Sequence, residues 1–155
     1  MPYVVPRILQ IFERLHLKAT VFVVGRDALQ IENRESLQSI VAAGHELGNH
    51  SFEHQPWLQR YGVDALEAEF DRAEAALGRI TDAKIAGFRG PGFSLSSDVL
   101  ELLAKRGYRY DGSTFPTFLG PAARAYYMMR SSFSKQEKSD RAPNYLAAFQ
   151  PAFVR

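Results

Sequence analysis

The chain contains no cysteine among its 155 residues. Disulfide bonds, thiolate metal sites and thiol nucleophiles are therefore excluded, and histidines and carboxylates are the metal ligands that remain. A cysteine-free chain also fits a reducing compartment. The opening segment MPYVVPR has no basic region followed by an apolar one, so it does not resemble a signal peptide, and we expect a cytoplasmic location.

Long apolar runs and clusters of basic residues are also missing. The longest strongly apolar stretch, residues 19–25, is far shorter than the roughly 20 residues of a membrane helix. The formal net charge is only +2, and no run of Lys and Arg forms a stripe for a phosphate backbone. We therefore expect neither a membrane nor a nucleic acid as a partner. The sequence leaves the oligomeric state open.

Helical and strand patterns alternate over residues 6–112. Apolar spacing of three and four predicts four helices, with Pro6 at the first position of the first helix and Gly44, Gly78 and Gly107 ending the others. The helices are predicted at 6–17, around 37–41, at 66–77 and around 99–103, and short strands follow them at 19–25, 45–51, 85–89 and 108–112. Such alternation requires crossover connections, so it predicts an α/β fold with parallel strands, either an open sheet or a barrel.

The two ends of the chain depart from this pattern. We predict that residues 113–155 form an irregular C-terminal segment of the same single domain, 1–155. A parallel unit normally begins with a strand, and an eight-stranded barrel typically needs about 250 residues. We therefore expect a strand before residue 6 and further strands after residue 155 to be missing, which makes the domain incomplete.

Three of the four histidines lie within ten residues of one another, at the carboxyl end of the second predicted strand. Ligands bind at that end of the strands in parallel α/β folds. His50 and His54 are four residues apart, and one helical turn would place both imidazoles on the same side to share a metal ion. We predict these two as metal ligands and assign structural roles to His45 and His16. The HExxH motif of zinc proteases is excluded because Asn49 follows His45 by four residues.

Two histidines do not complete a catalytic zinc site, which usually has three protein ligands. Asp27 lies just after the first predicted strand and Asp111 at the end of the fourth, both at the same edge, and each also fits an ordinary cap or turn. Arg89 ends the third predicted strand and precedes Gly90, Pro91 and Gly92. An arginine there can bind a carboxylate through two hydrogen bonds while the loop offers N–H groups to an oxyanion. The alternative is a surface arginine before a turn.

Four segments in a fixed order resemble the NodB-homology polysaccharide deacetylases of carbohydrate esterase family 4. The segments are KATVFVVG, GHELGNHSFEH, GFRGPGFS and GYRYDGSTFPT, and the resemblance covers about residues 6 to 130. It implies a partial (β/α) barrel of the NodB type. It also implies a hydrolase that removes N-acetyl or related acyl groups from an acetylated carbohydrate with a divalent metal, typically zinc or cobalt.

The resemblance also implies roles for individual residues. His50 and His54 match the two ligands of the family's H-[ST]-x-x-H motif, and Ser51 would hold the loop between them. Arg89 matches the arginine that positions the catalytic base. The backbone N–H that helps to form the oxyanion hole falls at Gly92, where the family often has tyrosine. Asp111 resembles the carboxylate that orients the catalytic histidine.

Two motifs that the resemblance leads one to expect are absent. One is an aspartate pair before the first helix, which supplies the base and the third ligand, and the other is a late Leu-x-His, which supplies the general acid. We therefore expect the chain alone to be weak or inactive. Two alternatives remain open: hydrolysis of small non-sugar amides, and a non-catalytic glycan-binding module. That module would stack sugars on four aromatic residues, for which packing against the missing half of the barrel is the favoured explanation: Phe115, Phe118, Tyr126 and Tyr127.

Overall fold

The computed structural model describes residues 3–93 and 95–114. The helices within these residues are α1 (Val4–Arg14), α2 (Gly25–Ala28), α3 (Ile31–Ala42), α4 (Val63–Leu77) and α5 (Ser97–Arg106). The strands are β1 (Thr20–Val23), β2 (Glu46–Asn49), β3 (Gly87–Phe88) and β4 (Tyr110–Asp111), and single 3-10 turns lie at Leu58–Arg60 and Pro91–Phe93. Within the described ranges, none of the helices combines the length and the apolar character needed to cross a bilayer.

The strands form one parallel sheet in the order β1-β2-β3-β4. A helix precedes each strand, so the predicted α/β fold with parallel strands and crossover helices is confirmed. Val23 pairs with Asn49, Asn49 with Phe88, and Phe88 with Asp111. The carboxyl ends of all four strands therefore meet at one edge, and the segments that follow them lie side by side there.

Two buried apolar clusters anchor the sheet. Helix α4 contributes to both, with Ala73 and Leu77 in one cluster and Leu66 and Phe70 in the other. Phe70 stacks on Phe88 of β3 with ring centroids 4.9 Å apart, and both side chains are fully buried. Burying such a ring stabilises the fold by about 1.5–3 kcal/mol. The packing of α4 on β3 therefore fixes the strand that leads into Arg89.

Several predicted boundaries need correction. Pro6 is the third residue of α1 and not its first, and His16 lies beyond the helix with a φ of 54°. The first strand ends before Gly25, which opens the unpredicted helix α2. A Cβ atom at Gly25 would lie 2.7 Å from Phe52 Cδ2 and 2.9 Å from Ala73 Cα, so the glycine permits close contact with α4.

The predicted helix ends agree better with the structure. Gly44 and Gly107 follow α3 and α5 with φ values of 75° and 73°, the left-handed conformation expected of glycine after a helix. Ser96 caps α5, because its hydroxyl accepts a hydrogen bond from the Val99 N–H at 3.3 Å. The aromatic residues of the alternative glycan-binding module, and nearly all of the predicted segment 113–155, lie outside the described residues.

Candidate functional site

The two candidate metal ligands follow β2 in a loop and not on a helix. Ser51 and His54 have φ values of 61° and 58°, so the predicted helical turn is wrong. The loop nevertheless brings the imidazoles together, with ring centroids of His50 and His54 4.8 Å apart and their planes inclined by 66°. The predicted juxtaposition of the two rings is therefore present, although a different backbone conformation produces it.

Hydrogen bonds to Asn49, Ser51 and Gly25 stabilise this unusual backbone. The Asn49 Oδ1 atom accepts a hydrogen bond from the Ser51 N–H at 2.8 Å, and the Ser51 hydroxyl accepts one from the His54 N–H at 3.0 Å. The Ser51 carbonyl accepts a third from the Gly25 N–H at 2.9 Å. Asn49 and Ser51 are fully buried. Such local bonds compensate for left-handed backbone in residues other than glycine.

The ring of His50 is oriented by the backbone of the neighbouring strand. Its Nδ1 atom lies 2.5 Å from the Arg89 carbonyl oxygen, which can only accept, so Nδ1 carries the proton and Nε2 keeps its lone pair. Burial lowers the pKa of His50, the bond to Arg89 opposes this, and the charges of His54 and Arg89 lower the pKa further. A neutral, oriented imidazole is the form that binds metal. The donor chemistry of this pair therefore fits a divalent metal such as zinc.

A third ligand does not emerge from the described part of the chain. Residues 3–93 and 95–114 contain no group of three His, Asp or Glu side chains placed to hold an ion. Asp27 lies instead beside an apolar pocket between α1 and β1. The Asp111 carboxylate accepts hydrogen bonds from the Ser113 hydroxyl at 2.5 Å and from the Ser113 N–H at 3.2 Å. The histidine pair thus supplies two donors of the usual three.

Arg89 and Gly92 share a pocket with His50. This pocket has a volume of about 360 Å³ and is lined by Phe22, His50, Arg89, Gly90, Gly92 and Phe93. The guanidinium carbon of Arg89 lies 5.2 Å from the Phe93 ring centroid, and no carboxylate within the described ranges forms an ion pair with it. Gly92 has a φ of 61°. Three of the five predicted site residues, His50, Arg89 and Gly92, therefore line this pocket. The ring of His54 contacts the ring of His50.

Asp111 reaches the same loop indirectly. The Ser113 hydroxyl, which donates to Asp111, accepts the Gly90 N–H at 2.7 Å. Burial raises the pKa of Asp111, while the hydrogen bonds from Ser113 and the charge of Arg89 oppose that shift. Asp111 therefore stabilises, through Ser113, the loop that contains Arg89 and Gly92.

Sequence reasoning missed Ser113 and Asn49 as parts of this site. The signal for Ser113 is its position two residues after an aspartate, which is the spacing of an Asx turn. The signal for Asn49 is a polar residue at the end of a buried strand, directly before a histidine.

Comparison with known proteins identifies relatives of this arrangement. The family model described as polysaccharide deacetylase matches residues 1–110. A peptidoglycan deacetylase from Helicobacter pylori is 28% identical over 142 residues, covering 92% of this chain and 46% of that protein. The chain therefore spans about half the length of this relative.

Two solved structures share the fold at similar identity. A CE4 family pseudoenzyme from Bacillus anthracis is 27% identical with a TM-score of 0.64, covering 69% of this chain and 37% of that one. A Mycobacterium smegmatis protein described as a polysaccharide deacetylase is 29% identical with a TM-score of 0.65. The match covers 72% of this chain and 38% of that one. The matched region of this chain thus covers less than half the length of either solved chain.

Proposed function

The chain belongs to the polysaccharide deacetylase family, and on this premise we propose that it serves in the metal-dependent hydrolysis of N-acetyl groups on a glycan. The observation that carries the proposal is the His50 imidazole, whose Nδ1 proton is engaged by the Arg89 carbonyl while its Nε2 remains available beside His54. The similarity to a peptidoglycan deacetylase favours an N-acetylated amino-sugar polymer as the substrate class.

The residues around the pocket fit defined parts of amide hydrolysis. When bound to His50 and His54, zinc or cobalt supplies Lewis acidity towards the acetamide carbonyl. The Arg89 guanidinium can orient a carboxylate or an acyl oxygen at the pocket wall. The Gly92 N–H can donate to the oxygen on which negative charge develops. A pocket of about 360 Å³ is within the range of small-ligand sites, so it suits an acetamide and part of one sugar ring.

We also propose that the chain by itself has weak or no activity. The described residues bring no third ligand to the histidine pair and no carboxylate base to Arg89. Family membership is compatible with lost activity, since the Bacillus anthracis relative is a pseudoenzyme.

Metal binding is tested by isothermal calorimetry of the purified chain with Zn²⁺ and by the visible absorption of its Co²⁺ form. We expect one bound ion, with binding lost in His50→Ala. An unchanged affinity in that variant would contradict the assignment of His50 as a ligand.

Activity is tested by acetate release from chitooligosaccharides. We expect slow or undetectable release from the chain alone, and release at rates typical of complete deacetylases would overturn the weak-activity proposal. Small N-acetyl amides are assayed in parallel, and preferential hydrolysis of these would replace a glycan by a small-amide substrate. Glycan binding that survives both metal removal and His50→Ala would instead favour a binding module.

A further inference from the structure

A series of hydrogen bonds connects the histidine loop to three residues far from it in sequence, Tyr108, Glu74 and Arg106. The Asn49 Nδ2 donates to the Tyr108 hydroxyl at 2.8 Å, and that hydroxyl donates to the Glu74 Oε1 at 2.8 Å. The other oxygen of Glu74 accepts from Arg106 Nη1 at 3.0 Å. These hydrogen bonds thus link Arg106 of α5 and Glu74 of α4, through Tyr108 two residues before β4, to Asn49 at the end of β2.

The direction of these bonds follows from the chemistry of the groups. A carboxylate paired with arginine has only acceptor oxygens, so the Tyr108 hydroxyl must donate its one hydrogen bond to Glu74. The phenol oxygen can then only accept, and it must receive its bond from the NH₂ group of Asn49. Burial is the largest cause that raises the pKa of Tyr108 above its ordinary value, which keeps the phenol protonated.

This direction determines which end of the Asn49 amide faces the histidine loop. With Nδ2 committed to Tyr108, Oδ1 faces the Ser51 N–H and accepts its hydrogen bond at 2.8 Å. A flipped amide would point NH₂ at that N–H, placing two donors against each other in a fully buried position. The orientation of Asn49 therefore matters directly for the left-handed backbone at Ser51.

We propose that Tyr108 and Glu74 are positioning residues for the His50–His54 loop, acting through the orientation of the Asn49 side chain. The Tyr108 ring is held for this role by edge contacts with Phe70 and Phe88, at centroid distances of 5.8 and 6.4 Å. The connection to metal binding rests on the proposed function, whereas the effect on loop geometry does not.

The test replaces the Tyr108 hydroxyl and follows the loop directly. Amide hydrogen exchange of the whole chain is measured by NMR in Tyr108→Phe, with Tyr110→Phe as the matched control. Tyr110 lies two residues away, and its hydroxyl also bonds a carboxylate, Glu46, at 2.5 Å, outside the histidine loop. The His50 N–H, which donates to the Val23 carbonyl at 3.0 Å, serves as the internal reference.

We expect the Ser51 and His54 amides of Tyr108→Phe to exchange roughly tenfold faster relative to the His50 amide, as for a lost buried hydrogen bond. Tyr110→Phe should leave this ratio unchanged. Glu74→Gln should give the same selective effect in weaker form. The NH₂ group of the glutamine can donate to the phenol oxygen, and the phenol O–H can then donate towards Asn49. A uniform increase over all amides, or equal ratios in the two tyrosine variants, would overturn the proposal.

Metal titration provides the second readout. Replacing a direct hydrogen-bond partner of a metal ligand typically lowers metal affinity about 10- to 100-fold. Tyr108 acts through Asn49 and Ser51, so we expect a Zn²⁺ affinity loss at the lower end, about tenfold or less, in Tyr108→Phe. If the unaltered chain binds no Zn²⁺ but the selective exchange effect is present, the proposed function fails and the positioning role stands. If the chain binds Zn²⁺ and Tyr108→Phe changes neither readout, the positioning role fails alone.

Discussion

The Nδ1 atom of His50 lies 2.5 Å from the carbonyl oxygen of Arg89. The sheet itself creates this relationship, because the Arg89 N–H donates to the Asn49 carbonyl at 3.0 Å and so fixes the Arg89 peptide beside the end of β2. On the Arg89 side this hydrogen bond involves only the backbone carbonyl and not the guanidinium group. A substitution of the Arg89 side chain should therefore alter the pocket while leaving the tautomer of His50 unchanged.

The first prediction concerns His54 as a metal ligand. His54→Asn should lower the Zn²⁺ affinity of the chain by at least about tenfold, because one of the two proposed imidazole donors is lost. His16→Asn is a matched control, since His16 and His54 have similar left-handed φ values of 54° and 58° and asparagine tolerates that conformation. Calorimetric titration of both variants checks the prediction, and an equal effect of the two substitutions would contradict it.

The second prediction concerns Ser51, which lies between the two proposed metal ligands. Ser51→Ala should lower the free energy of unfolding by about 1–2 kcal/mol, because the His54 N–H loses its acceptor at 3.0 Å. Ser39→Ala is the comparison, since the Ser39 hydroxyl donates to a carbonyl within α3 and alanine is favourable in a helix. Urea unfolding measures both, and a Ser51→Ala cost no larger than that of Ser39→Ala would refute a role for the hydroxyl.

The order of the elements could be predicted from the sequence, whereas the conformation of the histidine loop could not. Apolar spacing in α4 and the β-branched run in β1 are local patterns, so they indicate the helix and the strand without tertiary information. The four residues of α2 are too few to show a period. The left-handed backbone at Ser51 depends on Asn49, whose amide is in turn held by Tyr108, 59 residues away. A local periodic pattern cannot predict a contact between residues so far apart in the sequence.

The candidate site, too, could be predicted from the sequence only in part. His50, Arg89 and Gly92 could be placed together because parallel strands end at a common edge. Their hydrogen-bond partners are less accessible to sequence reasoning, since the His50 partner is a backbone carbonyl that any residue at position 89 would provide. The metal-ligand and catalytic roles of these residues stay predictions.

The third prediction concerns the backbone at Gly92. Gly92→Ala should lower the free energy of unfolding by about 1–2 kcal/mol, because an L-residue is strained at a φ of 61° and its Cβ would lie 3.0 Å from Pro56 Cβ. Gly112→Ala is the control, since a Cβ there meets its nearest atom, Phe22 Cζ, at an ordinary 3.6 Å. Urea denaturation compares the two variants, and equal stabilities would show that the loop relaxes around the new methyl group.

The fourth prediction concerns the pH dependence of stability at Asp111. Burial raises the folded-state pKa of Asp111 above its ordinary value of 3.8, against the opposing effects of Ser113 and Arg89. The folded state therefore binds this proton more tightly than the unfolded chain does. The resulting stabilisation is fully present below pH 3.8 and is lost as the pH rises through the folded-state pKa.

Asp111→Asn isolates this contribution. The variant loses one acceptor for Ser113 at every pH, so it should be less stable than the unaltered chain by an amount that shrinks as the pH rises from below 3.8 to neutrality. Urea unfolding of both proteins over this range measures the difference, in which the titration of the other carboxylates cancels. A stability difference that is constant, or that grows with pH, would show that ionised Asp111 is not disfavoured in the fold.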